Sequence, residues 1–468
     1  MKKLIALLLT LVMVLGLAAC AAKTGGNDTQ TYAIITKAAG NPYNDREAAG
    51  FEEVMKDAGY NAIVKHPAEI TAEAQITLIN ELVAQKVSGI AIAANDFDAL
   101  ETALKAAMDA GITVRIVNGL LGLEQAPQGA MADEATAAAP SAVRAWTQIE
   151  QWVRAAGVKR MLQYARFGFL GNNYSGMLDL YSDFTMLQAQ LGIHVELLEM
   201  CDLDRSLRQV TDAEIQEKLD EIHAFFEISG DSPSDPRVRR PTEEQLRWSA
   251  TVAAAQYRMV REYDLDALSY YYHGSDENHY EQVQSGFIVG HSLLTADGVP
   301  CAGEGDIKTC AAMKICDTLG LGGSFSEIVA MDYVHNTMLL GHDGPFHISI
   351  SNGRPMLRGM GVYHGKKGTG VSVEAKVRPG PVTMLGLTQL ANGRLRFIAS
   401  EGEAKQLPIL TIGNTQTHID FGMELDAYMD EWFRCAPTHH CAMSVGHNAA
   451  LFEKVAELLG AEFVRVGK

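Results

Sequence analysis

From residue 31 onward, short apolar runs alternate with stretches of helical spacing, and this alternation constrains the fold more than any other feature of the chain. Residues 32–36 read as a buried strand. Over 44–58 the spacing sets Phe51, Val54 and Met55 on one helical face, and Gly59 stops the helix. A second strand follows at 62–65, then a helix at 72–85 that turns Ile76, Ile79, Leu82 and Val83 inward. Residues 89–93 predict a third strand, 99–110 a third helix ended by Gly111, and 113–117 a fourth strand. Strands joined by helices in this rhythm give a parallel, doubly wound sheet, so residues 31–118 are expected to form a Rossmann-like α/β lobe. The rhythm resumes with strands at 166–171, 194–199 and 267–272 and helices at 214–227 and 243–263, which predicts a second α/β domain over 161–320. Strands then dominate, at 346–351, 370–377, 382–389, 394–401 and 410–412, with hairpin signals such as Ala391-Asn392-Gly393. Residues 321–468 are therefore expected to be β-rich.

The formal net charge of −18 disfavours nucleic acid as a partner, because so acidic a chain repels phosphate backbones. It fits a protein that handles neutral sugars or holds cations. None of the seven cysteines (Cys20, Cys201, Cys301, Cys310, Cys316, Cys435 and Cys441) forms a C-x-x-C pair, which argues against a zinc ribbon or redox motif. The six beyond Cys20 read as those of a reduced, cytosol-type protein. The N-terminus points elsewhere. Met1-Lys2-Lys3 precedes an apolar run from Leu4 to Ala19, too short for a comfortable membrane span, and the run closes on Leu17-Ala18-Ala19-Cys20. This resembles a bacterial lipobox, which implies a signal peptide over 1–20, lipidation of Cys20, membrane attachment there, and a tether over 21–30. A plain signal peptide or an N-terminal anchor is the other reading.

Three segments of the first lobe carry a family resemblance: Thr36-Lys37-Ala38-Ala39-Gly40-Asn41-Pro42-Tyr43, Val64-Lys65-His66-Pro67 and Ala91-Ile92-Ala93-Ala94-Asn95-Asp96. They are similar to the first lobe of bacterial sugar-binding lipoproteins of ABC transporters, nearest to the rhamnose and autoinducer-2 group. That resemblance implies that the loops after the strands grip a sugar, with Lys37, Asn95 and Asp96 as contacts; loop capping is the other reading of these three. It covers about residues 1–117 and stops at Val117-Asn118-Gly119, where the family continues with an aspartate and a second lobe. Residues 120–139 are rich in Ala, Gln and Gly with little periodicity, and a helix with Trp146, Ile149 and Val153 on one side is expected over 142–156. We read 119–160 as a junction.

Beyond it, a Phe-Gly-Phe-Leu-Gly strand over 167–171 leads to Asn173-Tyr174-Ser175-Gly176-Met177 and Asp179-Leu180-Tyr181-Ser182-Asp183. Glu304 follows a glycine in Cys301-Ala302-Gly303-Glu304-Gly305-Asp306, before a helix expected at 308–319. Glu327 ends Gly322-Gly323-Ser324-Phe325-Ser326-Glu327, a second glycine-led turn on this reading. His342 sits at a strand end in Leu339-Leu340-Gly341-His342, and Pro437-Thr438-His439-His440 is expected to precede a helix that includes His447. Two carboxylates and two imidazoles at loops after strands suit a hard-to-borderline divalent metal.

The ensemble resembles the L-arabinose/L-fucose isomerase family over about residues 166–468. The resemblance implies a metal-dependent aldose–ketose isomerase acting on an L-sugar through an ene-diol. Glu304 and Glu327 would be the acid–base pair and two of the metal ligands, with His342 and His440 completing the set. His439 competes with His440 and is otherwise a substrate contact. The metal would be Mn²⁺, with Co²⁺ or Mg²⁺ as substitutes. Asn172-Asn173 stands where many relatives carry a histidine, which puts the sugar preference in question. Lys366 and Lys367 could sit near substrate, although lysines in a turn are commonly just solvated. The resemblance also implies a homo-oligomer and a cytoplasmic enzyme, against the membrane-lipoprotein signal, and the family's own first domain is absent. Two further readings stay open: a lipid-anchored sugar-binding protein of an ABC transporter, and an inactive chimera of the two.

Overall fold

The computed structural model describes residues 30–39, 42–116, 140–232, 239–274, 278–360, 362–363 and 366–467. The expected signal peptide, Cys20, the tether up to residue 29 and the junction from 119 to 139 lie outside the described residues, as do the side chains of Lys366 and Lys367. The chain divides between Ile149 and Glu150 into two compact units. Among the described residues no helix is long and apolar enough to cross a membrane.

In the first unit β1 (Thr31–Ile35), α1 (Pro42–Asp57), β2 (Asn61–Lys65), α2 (Ala72–Ala84), β3 (Gly89–Ile92), α3 (Phe97–Asp109) and β4 (Thr113–Ile116) follow the expected alternation. All strands are parallel, in the order β2-β1-β3-β4. Both faces of β1 are buried, and Ala33 and Ile35 share a core with Ile79 and Leu82 of α2 and Leu100 and Leu104 of α3. Strands covered on both faces read as continuous apolar runs, which is why the rhythm was legible. Thr71 caps α2 through the Ala74 N–H. Buried Gln75 then ties the ends of β1 and β3 together: its Nε2 donates to Thr36 O and Ala93 O, and its Oε1 accepts from Asn95 N.

The second unit takes up the helix α4 (Pro140–Leu162) from Glu150 onward. Then come β5 (Arg166–Gly171), α5 (Phe184–Leu191), β6 (His194–Leu198), α6 (Met200–Leu207), α7 (Asp212–Phe225), a short β7 (Glu227–Ile228), α8 (Glu243–Tyr263), β8 (Ala267–Tyr271), α9 (His279–Gln284), α10 (Phe287–Ala296) and β9 (Cys301–Ala302). β6-β5-β8-β9 form a second parallel sheet. The long α8 starts on a capping box of Thr242 and Gln245.

After α11 (Ile307–Thr318) the architecture changes. β10 (Gly322–Asp332) and β11 (Thr337–His342) make a hairpin. β12 (Met356–Gly359), β13 (Val362–Tyr363), β14 (Lys366–Lys367) and β15 (Val371–Glu374) lie to the side. β16 (Gly380–Gln389), β17 (Leu395–Lys405), β18 (Thr415–Asp420), α12 (Leu425–Arg434), β19 (His440–Val445), α13 (Ala449–Leu458) and β20 (Glu462–Val466) follow. The pairing order β16-β19-β10-β11-β18-β17 returns to β16, so six antiparallel strands close into a barrel, with β20 parallel alongside β17. Closure leaves few open edges for this β-rich part.

α11 joins the two architectures. Ile307, Ala311, Ala312, Met313 and Ile315 are wholly buried, within a core that also contains Phe167 of β5, Leu385 of β16 and Phe452 of α13. A helix buried on every side, as α11 is from Ile307 to Cys316, belongs between two layers rather than on a surface.

Four local expectations are corrected. Residues 346–351 are no strand: Ile348–Ile350 form a single 3₁₀ turn, with Phe346 and Ile350 as buried anchors. Residues 410–412 pair with nothing regular and expose Leu410 and Ile412; the strand begins only at Thr415, past Gly413, whose φ is +81°. Glu327 lies inside β10 rather than in a turn, because Gly322 and Gly323 bend the chain before the strand continues. His440 opens a strand rather than preceding a helix, and His447 stays outside α13, whose first residue is Ala449.

Candidate functional site

The turn between β9 and α11 fixes Glu304 at the carboxyl end of the parallel sheet, where open α/β sheets place their ligands. Glu304 takes a left-handed backbone, φ +60°, a conformation costly for a side-chain-bearing residue and typical of functional sites. Its neighbours enforce it: Tyr174 N donates to Glu304 O at 2.9 Å, Gly305 N to Tyr270 O at 3.0 Å, and Asn173 Nδ2 to Gly305 O at 2.7 Å. Gly305, φ +74°, must be glycine, because a Cβ there would stand 2.4 Å from Asn172 O. Asn172 and Asn173, the departure noted in the sequence, thus brace the turn through backbone and amide. Asp306 then caps α11, accepting from Lys308 N and Thr309 N with Oδ1 and from Thr309 Oγ1 with Oδ2.

The barrel supplies the rest. Glu327 of β10 pairs with His440 of β19 and, on its other side, with Gly341 of β11, next to His342. Directly paired residues of an antiparallel sheet share a face, so the register brings Glu327 and His440 together, while His342 joins them from the last position of β11. Gly341 has no room for a Cβ, which would lie 1.6 Å from Thr415 O. Thr415 Oγ1 also accepts from His342 N at 2.9 Å and donates to His342 O at 3.0 Å. The Phe325 ring lies against both His342 and His440, at 4.6 and 4.4 Å between centroids.

Glu304 is the hub. Its Oε1 lies 3.8 Å from His342 Nε2, which is also 4.0 Å from Glu327 Oε1. Its Oε2 lies 3.4 Å from His440 Nε2 and 3.8 Å from His439 Nε2. Glu304, His342 and His440 are buried, whereas Glu327 and His439 are each about one-third exposed and form the mouth. Burial works to raise the Glu304 carboxyl, but His439, then His342 and His440, overrule it and hold it below the ordinary range. Burial likewise pushes His440 down toward the neutral ring, with Asp306 at 3.1 Å from its Nδ1 working the other way. Asp306 drops to about 2 against its own burial, through that hydrogen bond and the Lys308 charge.

Glu304 Oε2 and His440 Nε2 are buried without a hydrogen-bond partner, and they face each other. Two orphaned donor atoms of this kind, with an anionic carboxylate, a neutral imidazole and a carboxylate behind that imidazole, are what a divalent cation requires. Ligand atoms of Glu304, His439 and His440 all lie within 4.8 Å of one another. The residues fit a metal. A separate cleft of about 620 Å³, lined by Lys159, Gln190 and Arg394 among others, is less promising. There Lys159 Nζ donates to Leu458 O and Arg394 to Gly460 O.

Glu304, Glu327, His342, His439 and His440, though up to 136 positions apart in the chain, are thus placed together. Lys37, Asn95 and Asp96 gather in the first unit, at the ends of β1 and β3 where the strand order reverses. Asn95 Nδ2 donates to Lys37 O at 3.1 Å, its Oδ1 is buried without a partner, and Asp96 caps α3. The sequence reading did not single out Asp306, Asp179 or Phe325. Asp306 had a signal, two positions after Glu304 in a glycine-flanked turn; Asp179 and Phe325 had none of comparable strength.

Residues 32–158 match a family model described as a periplasmic binding protein domain. Residues 170–322 match the L-arabinose isomerase central domain, and 322–462 the L-arabinose isomerase C-terminal domain. An L-arabinose isomerase of Nocardioides sp. is 26% identical over 334 residues, covering 68% of this chain and 63% of the relative. Those of Saccharophagus degradans (25% over 335 residues, 68% and 63%) and Herpetosiphon aurantiacus (26% over 337 residues, 69% and 64%) are similar in extent. The chain therefore spans about 63% of the length of the curated relatives it matches. Among solved structures, an ABC transporter solute-binding protein of Clostridium phytofermentas with bound L-rhamnose is 24% identical, covering 52% of this chain and 68% of that one, at a TM-score of 0.19. One from Burkholderia graminis in complex with D-arabinose is 13% identical over 75% and 96%, also at 0.19. The chain is thus similar over residues 32–158 to periplasmic binding protein domains and over residues 170–462 to the central and C-terminal domains of L-arabinose isomerases.

Proposed function

We propose that the second unit is a metal-dependent aldose–ketose isomerase for an L-sugar of the arabinose or fucose type. The observation that carries this reading is the buried, partnerless pair Glu304 Oε2 and His440 Nε2, ringed by Glu327, His342 and His439. Glu304, Glu327, His342 and His440 would hold the ion, with Mn²⁺ first and Co²⁺ or Mg²⁺ as substitutes. A divalent ion there would stabilise the negative charge that develops on O1 and O2 of the open-chain sugar.

The protein's own groups account for the proton movements. Glu304 and Glu327 flank the place where C1 and C2 would sit. One carboxylate takes the proton from C2, giving the ene-diol, and a proton is returned to C1 while the O2 proton passes to O1, so the ketose has the atoms of the aldose. Asp306 holds His440 by its Nδ1, leaving Nε2 directed at Glu304. Phe325 walls the buried side with apolar surface, which keeps competing water from His342 and His440.

A second reading draws on the first unit, where Lys37, Asn95 and Asp96 converge at the strand-order reversal of a domain that matches periplasmic binding proteins. On that reading Cys20 anchors a sugar-binding lipoprotein at the membrane. A ketose-formation assay on L-arabinose and L-fucose with added Mn²⁺ separates the two. Turnover that disappears in Glu304→Gln supports the isomerase; tight sugar binding with no ketose formed rejects it.

A further inference from the structure

Asp179 stands at this site outside both the metal set and the acid–base pair, against His439. It sits in the 3₁₀ turn Leu178–Leu180, and its Oδ2 takes two hydrogen bonds from one residue 260 positions away: His439 N at 3.0 Å and His439 Nδ1 at 2.7 Å. Backbone and ring are gripped by the same oxygen, so the imidazole has little freedom to turn. Its other nitrogen then stands 3.8 Å from Glu304 Oε2, at the open side of the site. The adjacent His440 is built on the same plan, with Asp306 behind its Nδ1, yet it is wholly buried where His439 is one-third exposed.

The turn that carries Asp179 is itself held from below. Lys308 is 1% exposed, and its Nζ donates to Leu180 O at 3.0 Å, Tyr181 O at 3.3 Å and Ser182 Oγ at 2.9 Å. Burying an ammonium is expensive, and a surface Asp–His pair without a task would not need that support. Lys308 lies in the first turn of α11, two positions after Asp306. One helix start therefore fixes Glu304, His440 through Asp306, and His439 through Lys308 and Asp179.

We propose that Asp179 is a positioning residue that locks His439 with its Nε2 beside Glu304, where it hydrogen-bonds a hydroxyl of the open-chain sugar, and that Lys308 fixes the Asp179 turn. The proposal rests on the isomerase reading and assigns the outer histidine to substrate and the inner one to the metal. The test uses the full chain and two titrations by calorimetry: Mn²⁺ alone, then L-arabinitol, an open-chain pentitol, on the Mn²⁺-loaded protein. Asp179→Asn and His439→Gln should each keep Mn²⁺ affinity within about twofold and weaken pentitol binding about tenfold, the loss of one hydrogen bond to a fixed partner. The double variant should bind no more weakly than either single one, and Asp179→Glu should recover part of the loss. Additive losses, unchanged pentitol binding in Asp179→Asn, or loss of Mn²⁺ in His439→Gln would overturn it. Mn²⁺ binding without pentitol binding in the unsubstituted chain would sink this proposal alone; absence of Mn²⁺ binding would sink the metal reading and this proposal with it.

Discussion

Gly305 shows how little freedom the Glu304 turn has. With φ +74° and Asn172 O 2.4 Å from the position of a Cβ, Gly305→Ala meets both backbone strain and a collision with main chain. It should cost about 2–3 kcal/mol in denaturant unfolding, where a surface glycine with open space around it would cost far less. Asp306 makes a different demand. Its folded pKa lies below the unfolded one, so its contribution is complete above the unfolded value and is lost as pH falls from about 4 to about 2. In chelator-treated protein, Asp306→Asn should therefore lose less stability over that window than the unsubstituted chain; equal losses would show that the carboxylate is not held as described. Glu304, Glu327, His342 and His440 were singled out in the sequence through the family resemblance that their segments carry together, and the fold brings them close. Their partners were not. Asp179 meets His439 only through the fold, and Asp306 looks like an ordinary helix cap until β19 brings His440 onto it.

Among the elements, α11 carries the most consequence. It packs against both the parallel sheet and the barrel, and its start holds the site. Met313 in its middle is fully buried, so Met313→Ala should destabilise the second unit by about 2–5 kcal/mol and loosen Mn²⁺ binding with it. Undiminished stability would mean that the helix is not the joint between the layers. The parallel strands were legible in the sequence because burial on both faces leaves continuous apolar runs, and the helices because their caps and stop glycines are explicit. The barrel was less so. The glycines that open β10 look like a turn, and the run at 410–412 looks like a strand although no neighbour pairs with it. Which strands pair is a long-range matter, and a periodicity of two cannot tell a paired strand from an unpaired one.

Across the whole molecule, two units with separate cores stand in one chain. The first is built around β1, α2 and α3, the second around α11 and the barrel. Units with their own cores melt as their own cooperative transitions. Calorimetry on the full chain should show two, and Mn²⁺ should raise only the one that Met313→Ala lowers; a single transition moved by both would join the units thermodynamically. On the function proposed above, Glu304, Glu327, His342 and His440 share one divalent ion. The most direct measurement of it is Mn²⁺ titration of the full chain followed by electron paramagnetic resonance, compared with Glu304→Gln and His440→Gln. One Mn²⁺ should bind per chain, at least a hundredfold more weakly after either substitution; binding that neither substitution changes, or none in the unsubstituted chain, would rule out the shared ion.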